Sequence, residues 1–498
     1  MENKFKDLVF YEIYPTSFFD SNNDGIGDLK GIEQKLDYVK ELGCNAIWLN
    51  PFFKSPFKDG GYDIEDFFDV DERFGTIEDF KSLLNTAHKK GIKIILDLVA
   101  GHASTANKEF IKSAEPTRNE YSDLFIWNDG IWNQEPGLKL IAGMYQRNGC
   151  YLVNFFAHQP AFNYGFNRVD YKWQMSYKDE RTFLARNYIL NVMRFWLKLG
   201  VDGFRVDMAD SLVKNDDEKE ATIEVWHYLF DKIRKEYPNS FFVAEWSNPE
   251  KAFKAGFDCD FVLDHWDNYY HRLFRSNGDT RGISAINGGN DMGLIIRDLS
   301  WRVNESIKNN ALLGNISGNH DTSRIANYLN EDQLRLFYLF MISLPGTPFI
   351  LYGDELGMKS SNIPSKDGGF NRTGTRIPMI WNNKEINHGF SKTNKETYLP
   401  FNDENKCSVE DAINDKNSLY YFIKKVIELK KNNNDLKDIK TSITESERII
   451  EIKRGERTKI IVNLSDQNHD IKTARVLISS REILNGILPP VSAVIIEE

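Results

Sequence analysis

The segments GFRVD (203–207) and FFVAE (241–245) each consist of a short, largely apolar run that ends at an acidic residue. Runs of this length predict buried strands, and burying the run places the acid at the rim of the sheet. Asp207 and Glu245 are therefore expected at strand ends. Two rim carboxylates are the minimum needed to cleave a glycosidic bond, because one attacks the anomeric carbon while the other protonates the departing oxygen.

Apolar runs of strand length recur along the chain, each followed by a polar loop and a helical pattern. Buried strands that alternate with helices predict a parallel sheet, and eight such units are the number that closes a barrel. The alternative, an open doubly wound sheet, usually has a glycine-rich turn after its first strand, and none is present here. We predict an α/β fold, a (β/α)8 TIM barrel, with strands within residues 9–15, 46–51, 92–99, 203–207, 241–246, 257–265, 312–321 and 348–355.

One strand-to-helix interval is much longer than the others. About eighty residues rich in Trp, Phe, Tyr and Asn follow the third run, too many for an ordinary loop. They predict an inserted subdomain at residues 103–180, so that the barrel comprises residues 1–102 and 181–438. Short alternating patterns near the C-terminus predict an antiparallel β-sandwich domain over residues 439–498.

Composition and charge exclude several classes of protein. The chain of 498 residues has a formal net charge of −10 and no basic stripe, which argues against nucleic acid as a partner. The longest apolar stretch, residues 336–352, is interrupted by prolines, so no membrane span is predicted. The charged N-terminus lacks the apolar core of a secretory signal. Four widely spaced cysteines match no metal-ligand spacing and predict free thiols, so we expect a soluble, cytoplasmic protein.

Acidic residues and histidines close four of the predicted strands, at the end where barrel enzymes place catalytic groups. A single acid after a strand is more often the N-cap of the next helix. Because four predicted strands end in this way, N-capping alone does not explain these residues. The residues are Asp97 and His102, Arg205 and Asp207, Glu245, and Asn319-His320-Asp321.

These segments resemble the α-amylase family of retaining glycoside hydrolases, in particular its α-glucosidase and oligo-1,6-glucosidase branch. The resemblance spans nearly the whole chain, in the family's order. It implies a barrel with a domain inserted after the third strand and a covalent glycosyl-enzyme intermediate. The segments that carry it are 97–102 (DLVAGH), 203–207, Glu245, 319–321 (NHD), 27–32 (GDLKGI), 61–63 (GYD), 159–163 (QPAFN) and 353–357 (GDELG).

The resemblance assigns roles to the strand-end residues. Asp207 is expected to be the nucleophile, kept ionised by Arg205, which projects to the same side of the strand. Glu245 is expected to be the general acid and then the base, and Asp321 the third carboxylate that binds sugar hydroxyls.

Three aromatic or imidazole side chains are expected to contact the sugar. His102 and His320 are predicted to donate hydrogen bonds, and Tyr62 to form a stacking platform. For either histidine alone, a structural role is as good an explanation as a ligand contact.

Two further residues bear on the mode of action. Asp63 and Arg372 resemble the pair that closes the pocket behind the terminal glucose in exo-acting relatives, because an arginine–carboxylate pair there admits one sugar only. The alternative is that Arg372 is a solvated loop cation.

The loop from residue 20 to 28 has the spacing of a calcium-binding loop. Oxygen ligands at alternate positions, with glycine at the sixth, predict a structural Ca²⁺ (or Mg²⁺). The alternative is a polar Asx-turn loop without metal. The expected ligands are Asp20, Asn22, Asp24, Ile26 and Asp28.

The predicted activity is the hydrolysis of α-glucosidic bonds in short maltooligosaccharides or isomaltooligosaccharides, with exo action. Met208, after the nucleophile, leaves the choice between α-1,4 and α-1,6 linkages open. An endo-acting α-amylase and a trehalose synthase-like transglycosylase use the same carboxylates. A non-catalytic, transporter-associated sugar-binding subunit is disfavoured by the retained acids Asp207, Glu245 and Asp321.

Overall fold

Eight parallel strands close into a barrel in the computed structural model, which describes residues 5–264, 267–279, 282–368, 372–471 and 475–498. His265, within the sixth predicted run, lies outside the described residues. Consecutive strands pair with each other, and the eighth pairs with the first, which confirms the predicted barrel. The strands are β1 Phe10–Ile13, β2 Ala46–Leu49, β3 Lys93–Leu98, β4 Gly203–Val206, β5 Phe241–Ala244, β6 Cys259–Val262, β7 Leu312–Ile316 and β8 Thr347–Leu351.

Alternate residues of β1 face opposite sides, as the two-residue period of a strand requires. Phe10 packs inside the barrel with Trp48, Phe261 and Phe349, whereas Tyr11 belongs to the layer between strands and helices. The Phe10 and Phe349 rings are stacked with centroids 4.3 Å apart. This apolar interior forms the floor beneath the polar C-terminal ends of the strands.

Most of the helices pack around the barrel, and several bury a single face. In Ile77–Lys89, for example, Thr76 caps the N-terminus in a reciprocal pair with Asp79, and Phe80, Leu83, Leu84 and Ala87 are buried at helical spacing. The α-helices are Leu29–Gln34, Leu36–Leu42, Ile77–Lys89, Lys108–Ser113, Phe183–Leu199, Glu220–Glu236, Pro249–Lys254, Met292–Asn309, Glu331–Ser343, Val409–Asn414, Leu419–Asn432 and Asn434–Lys437.

The segment between β3 and the helix Phe183–Leu199 is largely irregular. It contains the helix Lys108–Ser113 and a two-stranded ribbon, Leu140–Ile141 with Tyr151–Leu152. Most of its aromatic side chains form its own core, as expected for a small inserted unit: Phe110, Phe125, Trp127, Tyr151 and Phe162 are all buried and in mutual ring contact.

The C-terminal region is an antiparallel sheet of five strands. One face of the sheet packs towards the helix Glu331–Ser343, and the other packs on a ribbon formed by His469–Asp470 and Ile487–Leu488. The antiparallel fold predicted for this region is confirmed. In chain order the strands are β9 Thr441–Ser446, β10 Ile449–Arg454, β11 Thr458–Asn463, β12 Arg475–Ser479 and β13 Ser492–Glu497.

The thiols of Cys44, Cys150, Cys259 and Cys407 are all unpaired, as predicted. Within the described residues, no helix combines the length and the apolar character needed to cross a bilayer.

A buried carboxylate ties β1 and the first helices to the loop after β8. Tyr11 and Tyr38 both donate hydrogen bonds from Oη to Glu355 Oε1, at 2.8 and 2.5 Å. Burial raises the pKa of Glu355 from 4.5 to about 7, although the two tyrosines oppose the shift. The folded chain therefore holds this proton more tightly than the unfolded chain does.

The Glu355→Gln variant should flatten the pH dependence of stability. An acid whose pKa is raised on folding stabilises the protein at low pH, and this contribution is lost as pH rises from about 4.5 to about 7. The wild-type free energy of unfolding should lose up to about 3 kcal/mol across this window relative to the variant. Chemical denaturation at pH 5 and pH 8 measures the difference, with the exposed Glu250→Gln as control. Equal slopes for all three proteins would contradict the assignment.

Candidate active site

A cavity of about 450 Å³ opens at the C-terminal ends of the barrel strands. It contains the three predicted catalytic acids together with Tyr62, His102 and Arg372, whereas Arg205 and His320 lie buried beneath its wall. Asp63 does not line it. The lining residues are Asp59, Tyr62, His102, Phe155, Gln159, Asp207, Met208, Asp210, Glu245, Trp246, Leu263, Asp321, Thr322 and Arg372.

The guanidinium of Arg205 holds three carboxylates together. Its Nη1 lies 2.5 Å from Asp97 Oδ1 and 3.1 Å from Asp207 Oδ1, and its Nη2 lies 2.5 Å from Glu245 Oε1. The three acids come from β3 and from the ends of β4 and β5, so one buried cation fixes three neighbouring strands. Asp97 is further held by Trp48 Nε1 at 2.8 Å. Asp207 and Glu245 therefore lie on the same guanidinium, as a catalytic pair must.

The ionisation of the pair differs from the expectation that Arg205 keeps Asp207 charged. Burial, and then the Glu245 carboxylate, raise the pKa of Asp207 well above its usual range despite Arg205. Burial also raises the pKa of Glu245, although both of its oxygens accept hydrogen bonds, one of them from the Met208 N–H at 2.9 Å. The physical reason is that one cation does not compensate for the burial of several carboxylates. Burial thus favours the protonated form of each carboxyl group, and Arg205 opposes it.

Asp321 has the opposite electrostatic environment. Burial opposes its ionisation, but His320, Arg372 and Arg376 together hold the pKa of Asp321 far below its usual value. Arg376 Nη2 and Arg372 Nη1 lie 2.7 and 2.9 Å from Asp321 Oδ1. Asp321 is therefore ionised, whereas burial favours the neutral form of Asp207 and Glu245.

The predicted pairing of Asp63 with Arg372 is wrong. Asp63 is fully buried, and its carboxylate accepts hydrogen bonds from Ser55 Oγ and the backbone N–H groups of Lys58 and Asp59 at 3.0 to 3.1 Å. These bonds satisfy both carboxylate oxygens, so Asp63 shapes the loop from within and does not reach the pocket.

Asp59 takes the place that was assigned to Asp63. Its Oδ1 pairs with Arg372 Nη2, and its Oδ2 accepts a hydrogen bond from Gln159 Nε2 at 2.7 Å. Arg372 thus bridges Asp59 and Asp321 and is not a solvated loop cation. The turn that presents Asp59 requires Gly60, which has φ +57°, because a Cβ there would lie 2.2 Å from Arg376 Nη1.

His102 and Tyr62 line the cavity and also contact each other. The His102 Nε2–H donates to the Tyr62 carbonyl oxygen at 3.1 Å, and Nδ1 accepts from Asn154 Nδ2 at 3.2 Å. Burial lowers the pKa of His102 to about 3, so its ring is neutral. The sugar contact predicted for His102 stays a prediction, and both ring nitrogens already have protein partners.

His320 packs beneath Tyr62. The two rings are stacked with centroids 5.2 Å apart, and His320 Nε2 lies 3.5 Å from Asp321 Oδ2. Its Nδ1 lies 2.8 Å from Oε1 of the buried Glu12. Tyr62 in turn donates from Oη to Asp97 Oδ2 at 3.1 Å, which connects the stacked pair to the Arg205 cluster.

Gly101 makes room for a polar contact between the barrel and the inserted segment. A Cβ at Gly101 would lie 2.7 Å from Asn154 Nδ2. The Asn154 Oδ1 accepts a hydrogen bond at 2.8 Å from Lys214 Nζ, which also donates to the Ser211 carbonyl at 2.6 Å. Burial lowers the pKa of Lys214 to about 7.

The loop predicted to bind Ca²⁺ is closed by hydrogen bonds to its own backbone. Asp20 accepts from the N–H groups of Asn23 and Gly25 at 2.7 and 2.8 Å, and Asp24 accepts from Ile26 N–H at 2.8 Å. Asp28 accepts from Ser21 N–H at 2.8 Å and caps the next helix. In the part of the chain that the structure describes, no three His, Cys, Asp or Glu side chains form a cluster suited to a metal ion.

Several side chains of the site carry no clear signal in the sequence. Glu12 and Asn50 look like ordinary strand-end residues, and Arg376 follows an irregular loop. Asp59 is recognisable only as a second acid four residues before Asp63. All four reach the site through loop geometry or from the barrel interior, which local patterns do not encode.

The model of the α-amylase catalytic domain matches residues 12–438. The chain belongs to the α-amylase family. It is therefore an enzyme of the glycoside hydrolase type, as the strand-end acids predict. The cavity with Asp207, Glu245 and Asp321 lies within the matched residues.

Relatives within the α-amylase family differ in the reaction that their names record. The chain is 32% identical over 474 residues to the trehalose synthase/amylase TreS of Mycolicibacterium smegmatis, with 85% of this chain and 76% of the relative covered. It is 29% identical over 499 residues to the oligo-1,6-glucosidase of Parageobacillus thermoglucosidasius, with 86% and 83% covered. The trehalose-6-phosphate hydrolase TreA of Bacillus licheniformis has a similar structure, with a TM-score of 0.81, 26% identity and 99% of both chains covered.

Replacing Arg205 should damage both activity and stability. Arg205→Met leaves three buried carboxylates without their cation, which should cost about 3 to 5 kcal/mol of the free energy of unfolding. Arg205→Lys keeps the charge but not the planar fork, so kcat/KM should fall by about 100-fold or more. The loss in kcat/KM should be greatest at acidic pH, because lysine makes fewer contacts than arginine and therefore opposes the rise in the pKa of Asp207 less.

Denaturant unfolding and pH–rate profiles measure these effects. Arg194→Lys, in an exposed pair with Glu236, is the matched control and should change stability by less than about 0.5 kcal/mol. An Arg205→Met protein with wild-type kcat/KM would show that the cluster is not needed for the reaction.

Proposed function

We propose that this protein is a retaining, exo-acting α-glucosidase that cleaves short maltooligosaccharides or isomaltooligosaccharides through a covalent glycosyl-enzyme intermediate. The observation that carries the proposal is the position of Asp207 and Glu245 on one guanidinium at the end of a closed pocket. The names of relatives such as the oligo-1,6-glucosidase support the substrate class.

The first step makes one bond and breaks one. The reactive form has its proton on Glu245, while Asp207 keeps its contact with Arg205. An Asp207 carboxylate oxygen attacks the anomeric carbon, the bond from that carbon to the leaving oxygen breaks, and Glu245 gives its proton to that oxygen. Asp321, held as an anion, stabilises the positive charge that develops on the ring.

The second step reverses the proton movement. Glu245, now a carboxylate, takes a proton from water, and the water oxygen displaces Asp207 from the anomeric carbon. The sugar leaves with its original configuration, and both carboxylates return to their starting states.

Exo action is supported by the closed end of the pocket. Asp59, Arg372 and Asp321 form one chain of ion pairs along the cavity, and we infer that this chain limits the site to a single terminal sugar beyond the cleaved bond. An arginine that contacts two carboxylates at once is held rigidly, so it can close this end of the pocket. An endo-acting amylase needs this end to be open.

Transglycosylation is the second candidate. A sugar hydroxyl can replace water in the second step, since the intermediate is the same. The identity of 32% to a trehalose synthase/amylase supports this alternative. The ratio of trehalose to glucose formed from maltose distinguishes the two.

We also propose a cytoplasmic location and a structural Ca²⁺ (or Mg²⁺) in the loop from Asp20 to Asp28. The unpaired thiols support the location, because a reducing compartment preserves them. The ligand spacing supports the metal, and the expected ligands stay Asp20, Asn22, Asp24, Ile26 and Asp28.

Opening the pocket should change the products. With Arg372→Ala, the first product from maltoheptaose should shift from glucose to maltose and longer sugars, and kcat/KM for maltose or isomaltose should fall by about tenfold or more. Chromatography of early time points measures both. Lys366→Ala, a cation on the same loop that donates to the Tyr398 carbonyl, should leave the products unchanged. An unchanged pattern in Arg372→Ala would exclude the proposed wall.

The role of Glu245 as an acid depends on the leaving group. Glu245→Gln should lower kcat/KM for a disaccharide by about 10²- to 10⁴-fold. The loss should be much smaller for α-glucosyl fluoride, because fluoride leaves without a proton. Equal losses on both substrates would assign Glu245 another role.

Bound metal can be measured directly. Protein purified without chelator should contain about one Ca²⁺ or Mg²⁺ per chain by elemental analysis, and Asp24→Ala should lose it. Asp403→Ala, on another exposed loop, should keep it. Wild-type protein without metal would leave the loop as an Asx-turn structure.

A further inference from the structure

Glu12 is a fully buried acid beneath the active site, and the reaction steps described above do not use it. It lies on β1, two residues after Phe10, and therefore on the same, inward-facing side of the strand. The interior below it is apolar. A carboxyl group in this layer needs polar partners, and its principal partner is His320.

Two groups face the same ring nitrogen of His320. Glu12 Oε1 lies 2.8 Å from Nδ1, and Asn50 Nδ2 lies 3.1 Å from it. The Asn50 nitrogen also lies 3.3 Å from Tyr62 Oη, whose own hydrogen goes to Asp97, and 3.5 Å from Asp97 Oδ2, so one amide hydrogen serves that pair and the other is left for Nδ1. An amide N–H that points at Nδ1 requires Nδ1 to accept. A hydrogen on Nδ1 would collide with it.

If Nδ1 accepts, the short contact with Glu12 needs a proton on Glu12. A carboxylate at 2.8 Å from a lone pair is repulsive, whereas a carboxylic acid donates to it. The other ring nitrogen fits this arrangement, because Nε2 lies 3.5 Å from Asp321 Oδ2 and then carries the hydrogen. Nε2 is itself buried, and apart from this contact it has no hydrogen-bond partner among the described residues, so its N–H is directed at Asp321.

We propose that Glu12 is a positioning residue that stays protonated and, with Asn50, holds His320 in the tautomer whose Nε2–H faces Asp321. The role of this N–H in the reaction rests on the proposed function. The tautomer itself does not.

The charged surroundings agree with a neutral Glu12. Burial raises the pKa of Glu12 well above its usual range; hydrogen bonds from Asn50 and the His320 backbone and the charge of Arg205 oppose this shift, and Asp97 adds to it. Burial lowers the pKa of His320 well below 6.5, Asp321 opposes this, and Arg376, Arg205 and Arg372 add to it. The Tyr14 and Tyr62 rings, at 6.3 and 5.2 Å, sandwich His320. A neutral acid and a neutral ring are thus expected together.

Nitrogen NMR of protein labelled in its histidine rings tests the tautomer directly. The His320 signals, assigned by their loss in His320→Gln, should show hydrogen on Nε2 between pH 6 and pH 8. Glu12→Gln should give the same pattern, because its amide nitrogen donates to Nδ1 as the acid does. Glu12→Met lacks a donor and should show a mixture of tautomers. Glu355→Gln, a buried acid far from the ring, is the control and should leave the signals unchanged.

Kinetics provide the second readout. Glu12→Gln should keep kcat/KM within about threefold of wild type and extend activity to higher pH, because no acid remains to ionise. Glu12→Met should lose about 10- to 100-fold in kcat/KM. Hydrogen on Nδ1 in the wild-type spectrum would overturn the proposal, whatever substrate the enzyme uses. A correct tautomer with no activity on α-glucosides would overturn the proposed function alone.

Discussion

The active site depends on the burial of one guanidinium among carboxylates from neighbouring strands. Arg205 contacts Asp97, Asp207 and Glu245 and is almost completely buried. The interaction is therefore strong, and it tolerates little displacement of the four side chains. One cation faces three carboxyl groups, and burial raises the pKa of both Asp207 and Glu245 despite Arg205. A raised pKa favours the protonated form that a general acid requires.

Charge is distributed unequally across the pocket. On the side of Asp321, two cations, Arg372 and Arg376, match the two carboxylates Asp59 and Asp321, and the pKa of Asp321 is held far below its usual range. On the side of Asp207 and Glu245 the cation is outnumbered. Two carboxyl environments of opposite character in one cavity separate the roles of proton donor and charge stabiliser. Arg372 has two functions here. Its ion pair with Asp59 closes the end of the pocket, and its ion pair with Asp321 holds that carboxylate in place.

The barrel and the position of Asp207 and Glu245 at its rim could be predicted from the sequence because both follow from a local pattern. An apolar run ending in an acid, as in β4 and β5, predicts a buried strand with the acid at its end. The pocket wall could not be predicted in the same way. Asp59 and Asp63 are four residues apart in one loop, and only the fold of that loop decides which one faces Arg372. The role proposed for Glu12 could not be predicted from the sequence either, because it depends on a contact with His320, which lies 308 residues away in the chain.

Covalent trapping tests the proposed role of Asp207 as the nucleophile most directly. A ring-fluorinated α-glucosyl fluoride forms the glycosyl-enzyme faster than water removes it, and peptide mass spectrometry then locates the sugar. The label should be found on Asp207 and should be absent from Asp207→Asn. A label on another residue, or rapid turnover without any covalent adduct, would contradict the double-displacement mechanism built on Arg205.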